Sequence, residues 1–358
     1  MKNVTLRQLR VFVAAARHMH FGKAAQELHL TPPAVSMHIR ELEQQVGLPL
    51  FERHGKSVSL TLTAEYLLVY ARRVLSTLKD AEDALARFRG LQSGRLTIGM
   101  VSSAKYFMPR LLAMFREEHP HIELRVVVAN REQLAEQLQG SELDLAIMGR
   151  PPRELATRGE PFAAHPLGVV CAPDHPLMRG ERKPASALAQ FGFVIREAGS
   201  GTRSAMEEYL REWRVDPRID QELASNETIK QMVMSGMGVS FLSLHGIGLE
   251  LRNGLIGVPD IEGLPLVRSW QVVHTSSKVL SPSAEALRYF VLENGEAYLA
   301  REFGGLHPMP AEPVSASSAQ AAAAERLRRA ARQTPPAPPA RPAKPAAPSR
   351  RAGSAGRG

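Results

Sequence analysis

Thr31-Pro32-Pro33-Ala34-Val35-Ser36-Met37-His38-Ile39-Arg40 is the stretch on which the reading of the fold turns. Thr31 offers a hydroxyl to cap a helix, and two prolines in the first turn cost little because the leading N–H groups have no helical partner anyway. Val35, Ile39, Leu42 and Val46 follow at spacings of four, three and four, which makes one apolar stripe for a core. Pro33, Ser36, Met37, Arg40 and Gln44 fall on the opposite stripe and offer a hydroxyl, a guanidinium and an amide suited to phosphates and base edges in a major groove. With Thr31 and His38 they are the candidate nucleic-acid contacts of this helix.

Working outward, Thr5 followed by Gln8 is a capping-box start, and Leu6, Leu9, Val13 and Ala16 repeat at helical spacing over residues 6 to 17. Residues 22 to 28 read as a second, short helix whose Ala24 and Ala25 allow close approach. The three together have helix-turn-helix spacing. Leu50 to Leu60 reads as a hairpin around a Gly turn, a wing whose Arg53, His54 and Lys56 can touch a nucleic-acid backbone or minor groove. Residues 1 to 62 are therefore expected to be a winged helix-turn-helix. Residues 63 to 91 are expected to be one linker helix, on which Leu67, Ala71, Val74, Leu78, Ala81, Leu85 and Phe88 alternate spacings of four and three as a dimerisation seam. Two copies would present two reading helices to an interrupted, twofold-related DNA sequence.

Composition agrees with a partner of this kind. The chain has 358 residues, long enough for two or three packed units, and a formal charge of +9. That charge sits at the ends: residues 1 to 62 carry eight Lys/Arg against four Asp/Glu, residues 312 to 358 nine against two, and the middle 28 against 30. A basic end predicts an anionic polymer as partner. Residues 308 to 358, rich in Ala, Pro and Arg, are expected to be a disordered basic tail. No apolar run is long enough to span a membrane and no export signal opens the sequence, so a cytoplasmic location is expected. The single Cys171 cannot make an internal disulfide or a Cys-based zinc site, and its apolar neighbours suggest a buried strand. No metal and no resident cofactor is expected.

Between about 94 and 303 the pattern alternates: strands at 94–100, 122–128, 143–148, 167–171, 193–195 and 239–242, with helices at 108–118, 132–139, 202–214 and 228–235. This predicts an α/β body built on a mostly parallel sheet, with ligands beyond the carboxyl ends of strands and at helix N-termini. Val101-Ser102-Ser103-Ala104-Lys105 and Gly199-Ser200-Gly201-Thr202-Arg203 fit that description. The second lacks the Gly-Lys-Ser/Thr ending of a P-loop, and the body shows no Gly-x-Ser-x-Gly and no His-Glu-x-x-His, so the alternative of an α/β enzyme with an accessory basic domain is disfavoured.

Residues 4 to 91 resemble the winged helix-turn-helix and linker helix of LysR-type transcriptional regulators, through Leu6-Arg7-Gln8-Leu9-Arg10-Val11-Phe12, Ala24-Ala25-Gln26-Glu27-Leu28, Pro33-Ala34-Val35-Ser36 and Gly47-Leu48-Pro49-Leu50-Phe51-Glu52-Arg53. Pro32 and His38 depart from the glutamines often found there, which shifts the expected base contacts to Ser36, Arg40 and Arg53. The order of elements to about residue 303 resembles the family's two-lobed, periplasmic-binding-protein-like effector domain, with one lobe about 94–165 and 268–303 and the other about 166–267. Ser103-Ala104-Lys105-Tyr106-Phe107-Met108-Pro109-Arg110, Asn130-Arg131-Glu132-Gln133-Leu134, Asp144-Leu145-Ala146-Ile147-Met148-Gly149-Arg150 and Pro173-Asp174-His175-Pro176-Leu177 look like the CbbR-like subgroup, which regulates Calvin-cycle operons. That resemblance implies activation of RuBisCO operons by a homodimer or homotetramer working with RNA polymerase. It also implies a small anionic effector, such as a phosphorylated metabolite, on Ser102, Ser103, Lys105, Asn130, Arg131, Gly149, Thr202 and Arg203. A regulator of another operon with a carboxylate effector is the alternative within the family.

Overall fold

The structure is a computed structural model that describes residues 3–54, 57–88 and 94–305. The first helix, α1 (Leu6–His18), opens with the expected capping box: Gln8 N donates to Thr5 Oγ1 at 3.2 Å and Thr5 N to Gln8 Oε1 at 2.9 Å. His20 caps α2 (Phe21–Glu27), its Nδ1 accepting from the amides of Gly22 and Lys23. Thr31 caps α3 (Pro32–Val46), which stops at Gly47, whose φ of +79° is a left-handed conformation that glycine adopts without steric cost. The wing pairs β1 (Phe51–His54) antiparallel with β2 (Ser57–Leu60), and Glu43 on α3 ties it down by accepting from the amides of Leu50 and Phe51 at 2.8 and 3.3 Å. Phe12, Val35, Ile39, Leu42 and Leu50 form the buried centre, with Phe51 set edge-on against Phe12 and Phe21.

The linker α4 (Leu62–Phe88) begins at Thr61, whose Oγ1 accepts from Ala64 N at 3.1 Å. Its first half does not keep the expected seam free. Ala64, Leu68 and Ala71 are buried in the core of the head, with Leu67 and Leu75 packed on it. The stripe that serves the chain's own core thus includes Leu67 and Ala71. Val74 and Leu85 remain exposed, joined by Leu62, Tyr66, Val69 and Tyr70 on a face displaced from the predicted one. The expected positions 89–91 of this helix, Lys56 of the wing, the tail at 308–358 and the side chains of Arg53 and Phe88 lie outside the described residues.

The body continues with β3 (Gly94–Val101), α5 (Met108–Glu118), β4 (Ile122–Ala129), α6 (Arg131–Gln139), β5 (Leu145–Met148), β6 (Thr157–Val170) and β7 (Gly192–Arg196). It ends with α7 (Gly201–Glu212), β8 (Arg218–Leu223), α8 (Asn226–Met234), β9 (Ser240–Ser243), α9 (Gly248–Arg252), β10 (Leu266–Thr275) and α10 (Pro282–Phe303). A six-stranded sheet runs β4-β3-β5-β10-β6-β9, and β7 pairs with β8 beside it, joined to the start of β9 through a bridge from Phe193 to Val239.

The sheet is not mostly parallel. β3 pairs parallel with β4 and β5, but β5–β10, β10–β6 and β6–β9 are all antiparallel. The cause is the pair β6 and β10, of 14 and 10 residues, which run beside each other between two lobes and carry the chain out and back. A chain returning beside itself pairs antiparallel and needs no crossover helix. Each lobe has its own cores: Leu96, Ile98, Phe107, Phe115, Trp270 and Phe290 are buried in the first, and Phe193, Ile195, Tyr209 and Phe241 in the second. Cys171 is buried in the second, where burial pushes its thiol up to about 12, so the side chain behaves as a small apolar residue.

Candidate functional site

On the head, α3 presents Pro33, Ser36, Met37, Arg40 and Gln44 around one open hollow, as its periodicity predicts, with Glu41 at the edge. Arg40 is exposed and has no carboxylate partner among the described residues. Thr31 is exposed but its hydroxyl is occupied at the cap, 3.4 Å from Ala34 N. His38 is turned away from the hollow: only 15% of its side chain is exposed, and Nδ1 sits 3.5 Å from a Glu41 carboxylate that also accepts from Gln8 at 3.1 Å. Through Glu41 it lies beside Gln8 of α1, apart from the residues around the hollow.

A cleft with about 450 Å³ of empty volume opens between the two lobes of the body. Its walls are built as open α/β sheets build them: Ser102 and Ser103 follow β3, Gly149 and Arg150 follow β5, and Arg196 ends β7. Two helix N-termini point in. Asn130 caps α6 through Gln133 N at 2.9 Å, with Arg131 as the first helical residue, and Ser200 and Thr202 sit at the start of α7. The crossing strands contribute His165 and Leu167 from β6 and Arg268 from β10. Oriented N–H groups and helix dipoles at such ends favour an anion.

Six of the expected ligand residues thus meet in one cavity: Ser102, Ser103, Asn130, Arg131, Gly149 and Thr202. Two do not line it. Arg203 is one residue past Thr202 on α7 and therefore swings to another face, where Glu207 and Glu222 hold it at 2.8 and 2.6 Å. Lys105 instead faces Glu227 of the second lobe at 3.3 Å, beside Tyr106, whose hydroxyl donates to the same carboxylate at 2.6 Å. Burial alone would raise the Glu227 carboxyl, but the hydrogen bonds from Tyr106 and Lys230 outweigh it and hold it down at about 2. These residues bridge the lobes behind the cleft.

The sequence did not disclose Arg150, Arg196, Arg268 and His165 as lining residues. Arg150 and Arg268 share Glu208 at 3.2 and 2.6 Å, and the buried Arg196 is held by Glu197 at 2.7 and 2.9 Å and by Asn226 at 2.7 Å. Arg131 has no carboxylate partner among the described residues. Four guanidiniums against the carboxylates of Glu208 and Glu197 leave the cleft with two positive charges in excess. His165 lies flat on Trp270, ring centroids 3.7 Å apart, with Nε2 3.0 Å from Ser243 Oγ. Burial first, then His245 and Arg268, push its pKa well below the ordinary histidine range, so the ring is neutral.

Among the described residues no group of three or more His, Cys, Asp or Glu is placed to hold a metal ion, and no helix is long and apolar enough to cross a membrane.

Comparison with known proteins matches both halves of this arrangement. The bacterial regulatory helix-turn-helix protein, lysR family, matches residues 6–65, and the LysR substrate binding domain matches residues 89–296. The chain is 49% identical over 308 residues to the HTH-type transcriptional regulator CfxR of Cupriavidus necator, covering 86% of this chain and 97% of that one. It is 46% identical over 291 residues to the RuBisCO operon transcriptional regulator of Allochromatium vinosum, covering 81% and 96%. Among solved structures, the regulatory domain of Synechocystis CcmR in complex with 2-PG is 38% identical, with a TM-score of 0.54 over 56% of this chain and 96% of that one. A helix-turn-helix head, a long helix and a two-lobed ligand-binding body, matched along nearly the whole length of such relatives, mean that this chain belongs to the LysR family of bacterial transcriptional regulators.

Proposed function

We propose that this regulator controls a carbon-fixation operon of the Calvin cycle, RuBisCO included, and activates it when a small phosphorylated anion occupies the cleft between the lobes. The observation that carries the ligand class is the excess of two positive charges in that cleft, where Arg131, Arg150, Arg196 and Arg268 converge with the N-termini of α6 and α7. A phosphate dianion matches it in charge and in its need for several donors. The target operon is supported by the name of one relative, the RuBisCO operon transcriptional regulator of Allochromatium vinosum, and the ligand class by the 2-PG bound to the CcmR domain.

DNA contact is assigned to Pro33, Ser36, Met37, Arg40 and Gln44 of α3, with Arg53 and Lys56 of the wing on the backbone. Two copies joined along the exposed face of α4, at Val74, Ala81 and Leu85 with Tyr66 and Tyr70, read an interrupted inverted repeat, and two such dimers form the tetramer that meets RNA polymerase. Such a protein works in the cytoplasm. Ligand shifts the balance between lobe arrangements, and α4 carries that shift to the head. Footprinting upstream of a RuBisCO operon, with and without 2-phosphoglycolate, tests the reading: protection of an inverted repeat whose extent changes with the anion is expected, and a footprint indifferent to every phosphorylated probe refutes the ligand half.

A further inference from the structure

Arg196 closes the buried strand β7 and lines the cleft, although it is only 3% exposed. Three of its N–H groups are engaged: Nε and one terminal nitrogen donate to Glu197 at 2.7 and 2.9 Å, and the other terminal nitrogen donates to Asn226 Oδ1 at 2.7 Å. Asn226 opens α8 and is itself buried, so its amide is held by partners within the protein. Their chemistry forces its orientation from both ends. A guanidinium can only donate, so the amide oxygen faces Arg196. On the other side lies Tyr106 of the first lobe, whose hydroxyl proton is committed to Glu227 at 2.6 Å. That hydroxyl oxygen can only accept, and the amide nitrogen of Asn226 donates to it.

The other charged groups around this network are paired: Lys105 and Lys230 with Glu227, Lys230 also with Glu250, and Arg203 with Glu207 and Glu222. Asn226 is the neutral member. An aspartate in its place, in the first turn of α8, would suit the helix dipole and hold the guanidinium by a stronger, charge-assisted bond. It would give Tyr106 no donor, and it would cancel one of the two positive charges that the cleft has in excess. The amide fixes the guanidinium and leaves the charge in place.

We propose that Asn226 is a positioning residue for Arg196, and that its neutral side chain makes the cleft prefer a doubly charged ligand group over a singly charged group of the same shape. The inference rests on the anion reading given under the proposed function and narrows it. A phosphate monoester carries two charges above its second pKa of about 6 and is favoured over a sulfate ester, which carries one.

The test titrates the full-length protein at about pH 8 with 2-phosphoglycolate and with 2-sulfooxyacetate, the sulfate ester of the same shape and one charge fewer. The parent should bind the phosphate ester at least about tenfold tighter. Asn226→Asp should weaken both and lower that ratio at least about fivefold, because the added negative charge opposes each unit of ligand charge. Asn226→Ala and Tyr106→Phe remove a hydrogen bond and no charge, so they should leave the ratio within about twofold of the parent's even where both compounds bind more weakly. Glu197→Gln takes a negative charge from the same guanidinium, should raise the ratio, and serves where Asn226→Asp does not fold. Equal affinities for the two esters in the parent overturn the charge preference and leave the anion reading intact. A ratio that neither charge-changing variant moves, or that Asn226→Ala lowers as much as Asn226→Asp does, overturns the role of the neutral side chain. Failure of both compounds to bind at millimolar concentration overturns the anion reading itself, and this inference with it.

Discussion

Lys278 Nζ lies 2.7 Å from Asp144 Oδ1, a buried pair formed between two loops of the first lobe and roofed by the linker helix α4. The helix takes part directly: Lys79 reaches Asp144 at 3.4 Å, and Ser76 Oγ accepts from Lys278 at 3.2 Å. Arg72 pairs with Glu142 at 2.7 Å on the same side. This polar junction ties the linker helix to the first lobe of the body within one chain.

The junction is expected to be costly to break. Asp144→Asn leaves Lys278 with Asp80, 3.9 Å away, as its remaining carboxylate and should destabilise the protein by about 1–3 kcal/mol, read by urea unfolding. Burial alone would raise the Asp144 carboxyl, but the charges of Lys278 and Lys79 and the bonds from Lys278 and Thr97 N outweigh it and hold it below the usual carboxylate range. A carboxyl depressed in the folded state contributes in full above its unfolded value of about pH 4 and loses its contribution as pH falls through the folded value. The parent should therefore lose stability below about pH 4 more steeply than Asp144→Asn; parallel acid limbs would remove Asp144 from the account.

For the DNA-reading face, Arg40→Ala should weaken operator binding and relax preference at one base position by about 1–3 kcal/mol, whereas His38→Ala, whose side chain is turned toward Glu41 and α1, should leave sequence preference unchanged. A binding-site selection run on both variants separates the two. A changed base preference in His38→Ala would put the ring back among the base contacts.

The contrast between Arg40 and His38 shows what was legible. Caps and apolar spacing located α1 to α3, and the face of α3 followed from period alone. One turn of helix was not resolved so well at Arg203, chosen for its charge beside Thr202 and found against Glu207 and Glu222 instead. Arg196, Arg150, Arg268 and His165 could not be assembled, because they come from the ends or middles of strands whose neighbours in the sheet are fixed by tertiary pairing. The one local signal was Arg196 closing the apolar run Phe193-Val194-Ile195, a charge at the carboxyl end of a buried strand. The antiparallel β6 and β10 escaped for the same reason: their pairing joins residues about a hundred positions apart.

If the anion binds in the cleft as proposed, ligand response should divide along its walls. Arg131→Ala removes a guanidinium that no carboxylate holds among the described residues and should weaken binding of 2-phosphoglycolate by about 10- to 100-fold. Arg203→Ala, outside the cavity, should change it by less than about threefold. Isothermal titration of the two variants decides between them, and a larger loss in Arg203→Ala would place the anion outside the cavity between the lobes.

The linker helix offers a separation of folding from assembly. Ala71 is 2% exposed in the core of the head, so Ala71→Asp buries an unpaired charge and should cost more than about 3 kcal/mol, lowering the melting temperature whatever the oligomeric state. Val74 is 47% exposed on the neighbouring stripe and packs on nothing in the head's core, so Val74→Asp should leave the melting of a single chain nearly unchanged. If the exposed face carrying Tyr66, Tyr70, Val74 and Leu85 is where two copies meet, the same substitution places two like charges across the seam and shifts the protein toward monomer at micromolar concentration. Sedimentation velocity reads the second effect and calorimetry the first. A Val74→Asp protein that melts normally and sediments as the parent does would move the dimer contact off this face of α4.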